Sequence, residues 1–364
     1  MSFTDETNSV YEFRIREACT DNSEDASNDA IILSALIQEL ADFHKKPDEP
    51  KVGADQLQQY LKNGAAKALI ATAKTKGARN LDNREKLAAE TVAAYAIYYE
   101  GPSIEFGKVF FLNDLYIRPP FRRQKFGSKL MQTFIKISRE LRCDSLIWTV
   151  RSFNISAIRF YESIGAKELT AQSADGRSKM KCWAMKSDQF DGITNKLKDC
   201  LSDIEFNVLN DVQLKEQTDQ LAEQWFQMDE KTPINSVEKC HFSNALRTHK
   251  FEAIQAQNCS DCAVLGLALF HRCAFATWSG TFLSVDCLKV RLDCRRRGIG
   301  RTLAVEMIRI AAKSASPLIG WVAKEDAATD AFFQSIGAIN LSDKESFSLF
   351  ILNGSEESQK KLIN

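Results

Sequence analysis

Two stretches of this chain repeat at a nearly constant spacing. Residues 115–130, LYIRPPFRRQKFGSKL, align with 288–303, LKVRLDCRRRGIGRTL, with six identities in sixteen positions. Residues 150–166, VRSFNISAIRFYESIGA, align with 322–338, VAKEDAATDAFFQSIGA, again with six identities, in seventeen. The offsets are 173 and 172, and such agreement across separate windows argues for duplication rather than chance. A repeat of about 170 residues is the size of a domain, not of a solenoid unit. The 364 residues therefore predict two domains of one design, over 11–186 and 204–352, joined by a polar linker at 187–203.

Each copy reads in the same order. In the first, Ile31, Leu33, Leu36, Ile37 and Leu40 recur at helical spacing. The apolar runs ALIATA and VAAYAIYY read as strands, joined by a polar stretch at 73–92 that reads as a long loop. KVFFLNDLYI reads as a buried strand, and the arginine-rich loop follows it. A helix comes next, with Leu130, Phe134, Ile137 and Leu141 on one face. SLIWTV is a strand, SAIRFYES a short helix stopped at Gly165, and MKCWAM a closing strand. The second copy repeats the series with LGLALFH, GTFLSVDCLKV, TLAVEMIRIAAK, PLIGWV, ATDAFFQS with Gly337, and SFSLFIL. Strands outnumber helices and mix with them, which predicts an α/β or α+β fold. Residues 1–9 and 353–364 read as tails.

Composition narrows the function. Forty-eight basic residues balance 48 acidic ones, so no net field draws the chain to nucleic acid or an acidic membrane. The first residues, MSFTDETNSVYEF, lack the basic and apolar regions of a secretory signal, and no apolar run reaches the ~18 residues of a membrane helix. Ten scattered cysteines suit reduced thiols, which predicts a cytoplasmic or nuclear location. The pair Cys259 and Cys262 has the CxxC spacing but no second ligand pair, and reads as free thiols beside a strand; no metal site is expected.

The duplicated loop is the chemical feature. A strand, a glycine-bearing turn and a helix aim several backbone N–H groups at one point, where the helix dipole adds partial positive charge. Nearby arginines strengthen such an anion site. A P-loop is excluded because no Lys-Ser or Lys-Thr pair follows at the required spacing, and a dinucleotide fingerprint is excluded because its third glycine is missing.

Taken with the downstream window, the pattern R-x-x-G-x-G, helix, strand and N-x6-Y-E-S-I-G-A resembles the GNAT superfamily of acetyl-CoA-dependent N-acetyltransferases. The first copy is most similar to the spermidine/spermine and thialysine enzymes, through FFLNDLYIRPPFRRQKFGSKL, RCDSLIWTV, FNISAIRFYESIGAKEL and LIQELADFHK. The second resembles the superfamily more loosely. The resemblance implies two tandem GNAT domains, each a mixed, mostly antiparallel sheet with helices on both faces. It implies that coenzyme A lies on Arg122, Arg123, Gln124, Lys125, Phe126, Gly127 and Ser128, and that its pantetheine arm lies between strands that part at Leu115, Tyr116 and Ile117. Asn154 would contact that arm, Tyr161 would be the general acid, and Arg295, Gly298 and Gly300 would form the equivalent loop of the second copy.

Departures from the family matter as much. Asn113 and His44 stand where the polyamine enzymes carry substrate-binding glutamates, and an amide cannot serve as base. Asp114 and His44 remain as candidate catalytic groups, with Phe43 and Asn113 toward the substrate. Lys125 replaces the loop's first glycine, at little cost if its φ is negative and at a cost of about 1 kcal/mol or more if positive. In the second copy Phe333 replaces the tyrosine, Asp326 the asparagine, and Asp286 stands where Asn113 does. These features imply an acetyl-CoA-dependent transferase acting on a primary amine of a small molecule, polyamine- or lysine-like. Two alternatives stand beside it, a decayed scaffold that binds acyl-CoA and a protein N-acetyltransferase. The two copies are expected to pair as an internal pseudo-dimer, or the chain as a homodimer.

Overall fold

The computed structural model describes residues 11–21, 23–75, 90–170, 180–186, 201–228, 236–314, 318–324, 326–344 and 347–353. The first half contains β1 (Tyr11–Glu17), α1 (Glu24–Phe43), α2 (Ala54–Lys62), β2 (Lys67–Thr75), β3 (Thr91–Ser103), β4 (Gly107–Ile117), α3 (Phe126–Glu140), β5 (Ser145–Arg151), α4 (Ile155–Ser163), β6 (Lys167–Glu168) and β7 (Met180–Lys186). The second contains β8 (Ile204–Leu209), α5 (Asp211–Glu216), α6 (Thr218–Gln227), α7 (Ser236–Thr248), β9 (Glu252–Asn258), β10 (Val264–Ala276), β11 (Gly280–Val290), α8 (Ile299–Lys313), β12 (Leu318–Lys324), α9 (Ala327–Ser335), β13 (Ile339–Asn340), α10 (Leu341–Lys344) and β14 (Phe347–Asn353).

Two seven-stranded sheets result, ordered β1-β2-β3-β4-β5-β14-β6 and β8-β9-β10-β11-β12-β7-β13. The pairs are antiparallel except β4 with β5 and β11 with β12. In each sheet one place is filled by the other half. Strand β14 pairs with β5 from Phe347↔Arg151 to Asn353↔Ser145, while β7 pairs with β12 from Leu318↔Lys186 to Lys324↔Met180. The expectation that MKCWAM and SFSLFIL each close their own copy's sheet is thereby corrected. The reason is physical: the copies share one design, so the two closing strands meet equivalent edges, and the chain takes the crossed pairing. The segments 11–186 and 204–352 remain repeats in sequence, but neither completes its sheet alone. Most of the expected linker lies outside the described residues, as do 76–89 of the expected loop at 73–92; the ends of that stretch belong instead to β2 and β3.

Helices cover both faces of the first sheet. On one, Phe126, Leu130, Met131 and Phe134 of α3 pack against Phe110 and Trp148. Each such side chain, fully buried, stabilises the fold by about 1.5–3 kcal/mol. On the other, Leu33, Leu36 and Leu57 of α1 and α2 pack on Tyr95 and Ile97, and this core also takes Ala274 and Phe275 of the second half. Helix α1 begins at Ser23, whose side chain accepts from the Ala26 amide at 3.2 Å. The second sheet is built alike, with Leu303 and Ile308 of α8 on one face and Leu214, Leu221 and Phe242 on the other. Ile104 of the first half packs against that last cluster. The halves thus face one another as an internal pair, each lending a hairpin to its neighbour's core.

Candidate active site

The site begins where two parallel strands part. Strands β4 and β5 pair from Val109↔Ser145 to Leu112↔Trp148, and the pairing ends there. Beyond, β4 stays with β3, and β5 stays with β14. The divergence coincides with a bulge: Leu112 pairs with Tyr98 and Asp114 with Ile97, which leaves Asn113 as the extra residue. Past the bulge the Arg118 amide donates to Ala93 O of β3 at 2.9 Å, so by the alternation of a strand Leu115 and Ile117 turn their polar groups toward the gap. The gap widens into a cleft of about 780 Å³. Of the first-copy residues singled out in the sequence, all but Gln124 line it.

The loop 122–128 forms one wall. Arg122 donates from Nε to Ile117 O at 3.0 Å, and its guanidinium lies 5.0 Å from the Phe43 ring centroid and 5.8 Å from that of Tyr116. Lys125 is the N-cap of α3 with φ 64°, a left-handed conformation that makes no side-chain cap. That settles the question raised by its sequence: the lysine is in the strained region, at a cost of about 1–2 kcal/mol. Arg123 is left-handed as well, with φ 60°. Both side chains are exposed, so cations surround the open N-terminus of the helix.

The floor of the cleft carries Asp114. Its Oδ2 accepts from the Tyr95 hydroxyl at 3.1 Å, and the Thr277 hydroxyl of the second half lies close enough to lower it. Burial nevertheless pushes its carboxyl up to about 6: the Thr277 and Tyr95 hydroxyls lower it only in part, and the nearby Glu49 charge raises it further. Asn113 donates from Nδ2 to Thr277 Oγ1 at 3.4 Å. His44 reaches the same cleft beside the Phe43 and Phe153 rings, with centroids 5.6 and 5.8 Å away. Desolvation, with the charges of Arg151 and Lys46, brings its imidazole down to about 4. It is therefore neutral at pH 7 and a weak proton acceptor. The remaining acid in the cleft, Glu49, is held by Arg151 at 2.8 Å.

The opposite wall is the α4 end. Asn154 caps α4, its side chain accepting from the Ala157 amide at 3.3 Å. Tyr161, one turn from the end of α4, is 6% exposed and lies 4.8 Å from Trp148 between ring centroids. Burial raises its phenol above the ordinary value, so it keeps its proton through the physiological range.

In the second half the same positions are arranged differently. Gly298 caps α8 with φ 97° and open space around it, where a glycine relieves the strain that Lys125 carries. Phe333 is buried in place of the tyrosine, and Asp326 caps α9 through the Ala328 and Thr329 amides. Asp286 is again the bulge residue, between Leu269↔Cys287 and Phe270↔Val285. Its Oδ2 accepts from the Ile104 amide at 2.8 Å, and the space beside it is about 100 Å³. Arg295, Gly298 and Gly300 thus stand on a separate loop of the second half, apart from the first cleft.

Three contributors had no sequence signal. Glu49 comes from an irregular segment with no motif. Thr277 and Trp278 come from the other half, on the turn between β10 and β11. A hairpin in the repeat was legible, but its reach into the neighbouring cleft was not.

Comparison with known proteins adds family and fold likeness. Residues 35–166 match the Acetyltransferase (GNAT) family. A thialysine N-epsilon-acetyltransferase of Bos taurus is 27% identical over 142 residues, which is 37% of this chain and 76% of that protein. An L-ornithine N5-acetyltransferase of Arabidopsis thaliana is 32% identical over 84 residues, 23% of this chain and 37% of that protein. Among solved structures, a tandem GNAT protein from the clavulanic acid biosynthesis pathway superimposes with a TM-score of 0.51 at 12% identity, covering 94% of this chain and 99% of that one.

Proposed function

With residues 35–166 in the GNAT acetyltransferase family and a tandem GNAT fold around them, we propose that this N-acetyltransferase moves acetyl from acetyl-CoA to the terminal primary amine of a small, lysine- or ornithine-like molecule. The observation that carries the reading is one cleft in which parted strands, a cation-rich helix N-terminus, a buried phenol and a carboxyl near pKa 6 all meet. The residues suit coenzyme A. Arg122, Arg123 and Lys125 with the first amides of α3 fit a pyrophosphate, and the gap beside Leu115 and Ile117 fits an extended amide-bearing arm. When bound, acetyl-CoA supplies the activated acyl group and a thiol as leaving group.

Each residue then has a task. Asp114, ionised above pH 6, takes the proton from the substrate ammonium so that the amine can attack. Amides on the open side of β4 face the oxygen on which negative charge develops. Tyr161, kept protonated by burial, gives its proton to the departing sulfur, and the second proton that the acylated nitrogen sheds restores the phenol through solvent. Asp114 is preferred to His44 as base because the imidazole is held near 4. The cleft's other carboxylate, Glu49, is already paired with Arg151, which disfavours a long polycation and suits one amine. The relatives that act on thialysine and ornithine support the same class.

The test follows thiol release from acetyl-CoA with lysine, ornithine, thialysine, putrescine and spermidine as acceptors. Turnover with an amino-acid side-chain amine, lost in Asp114→Asn and Tyr161→Phe while acetyl-CoA binding by calorimetry persists, is the expected result. Binding without turnover on any amine would leave an acyl-CoA-binding scaffold in its place.

A further inference from the structure

We propose that the second half takes part in the first half's chemistry through Thr277, a positioning residue whose hydroxyl is carried across the domain boundary to fix the Asp114 carboxyl. The inference rests on Asp114 being the proton acceptor of the proposed reaction.

The anchoring comes first. Thr277 sits at the tip of the β10–β11 hairpin, 6% exposed, directly after Phe275 and Ala276, which are buried at 1% and 3%. Phe275 belongs to the core built mainly by α1, α2 and β3, and its ring lies 5.3 Å from that of Tyr60. The tip is therefore locked against the first half by packing, and its position does not depend on substrate.

The hydrogen bonds give the tip its task. A threonine hydroxyl has one proton and two lone pairs. Asn113 Nδ2 donates to Thr277 Oγ1 at 3.4 Å, which occupies a lone pair and turns the single proton away from the amide. That leaves the proton to turn toward Asp114, whose carboxyl the hydroxyl lowers and whose Oδ2 accepts from the Tyr95 hydroxyl at 3.1 Å. Asn113 and Asp114 reach the same threonine because the bulge at Asn113 breaks the strict alternation of β4. Asn113, which cannot be a base, thus acquires a role: it orients the donor that holds the base.

Two hydroxyls donating to a carboxylate favour its ionised form, against the burial that disfavours it. The other groups facing this carboxyl are Glu49, paired with Arg151 on β5, the neutral His44 at the end of α1, and Tyr116 on β4.

The experiment compares Thr277→Val, which keeps the shape and removes the hydroxyl, with Thr277→Ser, which restores it. Two readouts are taken on the full chain: the carboxyl carbon titration of Asp114 by NMR, assigned with Asp114→Asn, and the pH profile of kcat/KM. In Thr277→Val, both the titration and the acid limb move upward by about one pH unit, roughly tenfold in rate below the limb. Thr277→Ser returns both. An unchanged Asp114 titration in Thr277→Val, or failure of serine to restore it, overturns the proposal. A titration that moves while the acid limb stays fixed removes Asp114 as the base, and Thr277's catalytic role with it. Thiol release by the unaltered protein reports separately on acetyl transfer itself.

Discussion

The two bulge residues, Asn113 and Asp286, occupy equivalent positions in the two halves and meet opposite surroundings. Beside Asn113 the neighbouring half lends a turn with a hydroxyl, and a cleft of about 780 Å³ stays open. Beside Asp286 the neighbouring half lends the Ile104 amide, the carboxylate is capped, and it borders a small pocket of about 100 Å³. One duplicated scaffold has thus placed an open cleft beside one bulge and a capped carboxylate beside the other. What separates them is not the sheet, which is nearly the same in both, but what each half's hairpin offers its neighbour.

The largest expected effect pits the two acids against each other. Asp114→Asn lowers kcat by about 10²- to 10⁴-fold, the usual contribution of a positioned base, while Asp286→Asn leaves turnover within about twofold. Asp286 instead governs stability. Burial raises its carboxyl to about 6 from 3.8, so the folded state holds the proton more tightly than the unfolded one. Its stabilising contribution is full below about 4 and is lost as pH rises through 6. Thermal melts of Asp286→Asn are therefore expected to show a gain of up to about 2 kcal/mol at pH 8 and almost none at pH 4. Equal kinetic losses in the two variants would erase the contrast.

The aromatic pair comes next. Tyr161→Phe is expected to cost about 10²-fold or more in kcat, as removal of a general acid does. The reciprocal Phe333→Tyr gains no activity, because Ile104 still caps Asp286 beside that site. Single-turnover rates with the best acceptor amine decide both. A smaller effect belongs to Trp278, which borders the first cleft from across the boundary. Trp278→Ala raises KM for the amine by roughly tenfold with kcat little changed, the mark of lost substrate packing. The smallest concerns the helix caps. Lys125→Gly relieves a left-handed lysine and raises stability by up to about 1 kcal/mol, while weakening acetyl-CoA binding through the lost charge. Gly298→Lys in the second half has only the strain, and melts lower.

The parts that local chemistry specifies were legible in advance. The strand–loop–helix unit at 115–130, with Asn154 and Tyr161, follows from periodicity and family pattern, and these residues converge on one cleft. The φ of Lys125 was not readable, because a lysine in sequence does not reveal which side of the map it occupies. Strand exchange was hidden for a related reason. MKCWAM and SFSLFIL are both short apolar strands, and duplicated edges accept either one. Thr277 and Trp278 were invisible because their importance depends on how one half docks on the other, which no motif within a half records.

That exchange also sets a timetable for synthesis. Thr149 of β5 waits for Leu349, about two hundred positions later in the chain, before its edge is covered. Throughout translation of the second half, the first carries an unpaired strand edge, the kind of surface that recruits stray β-strands. A nascent chain of this design is therefore committed late, and chaperone dependence or slow maturation on the ribosome would be its natural signature.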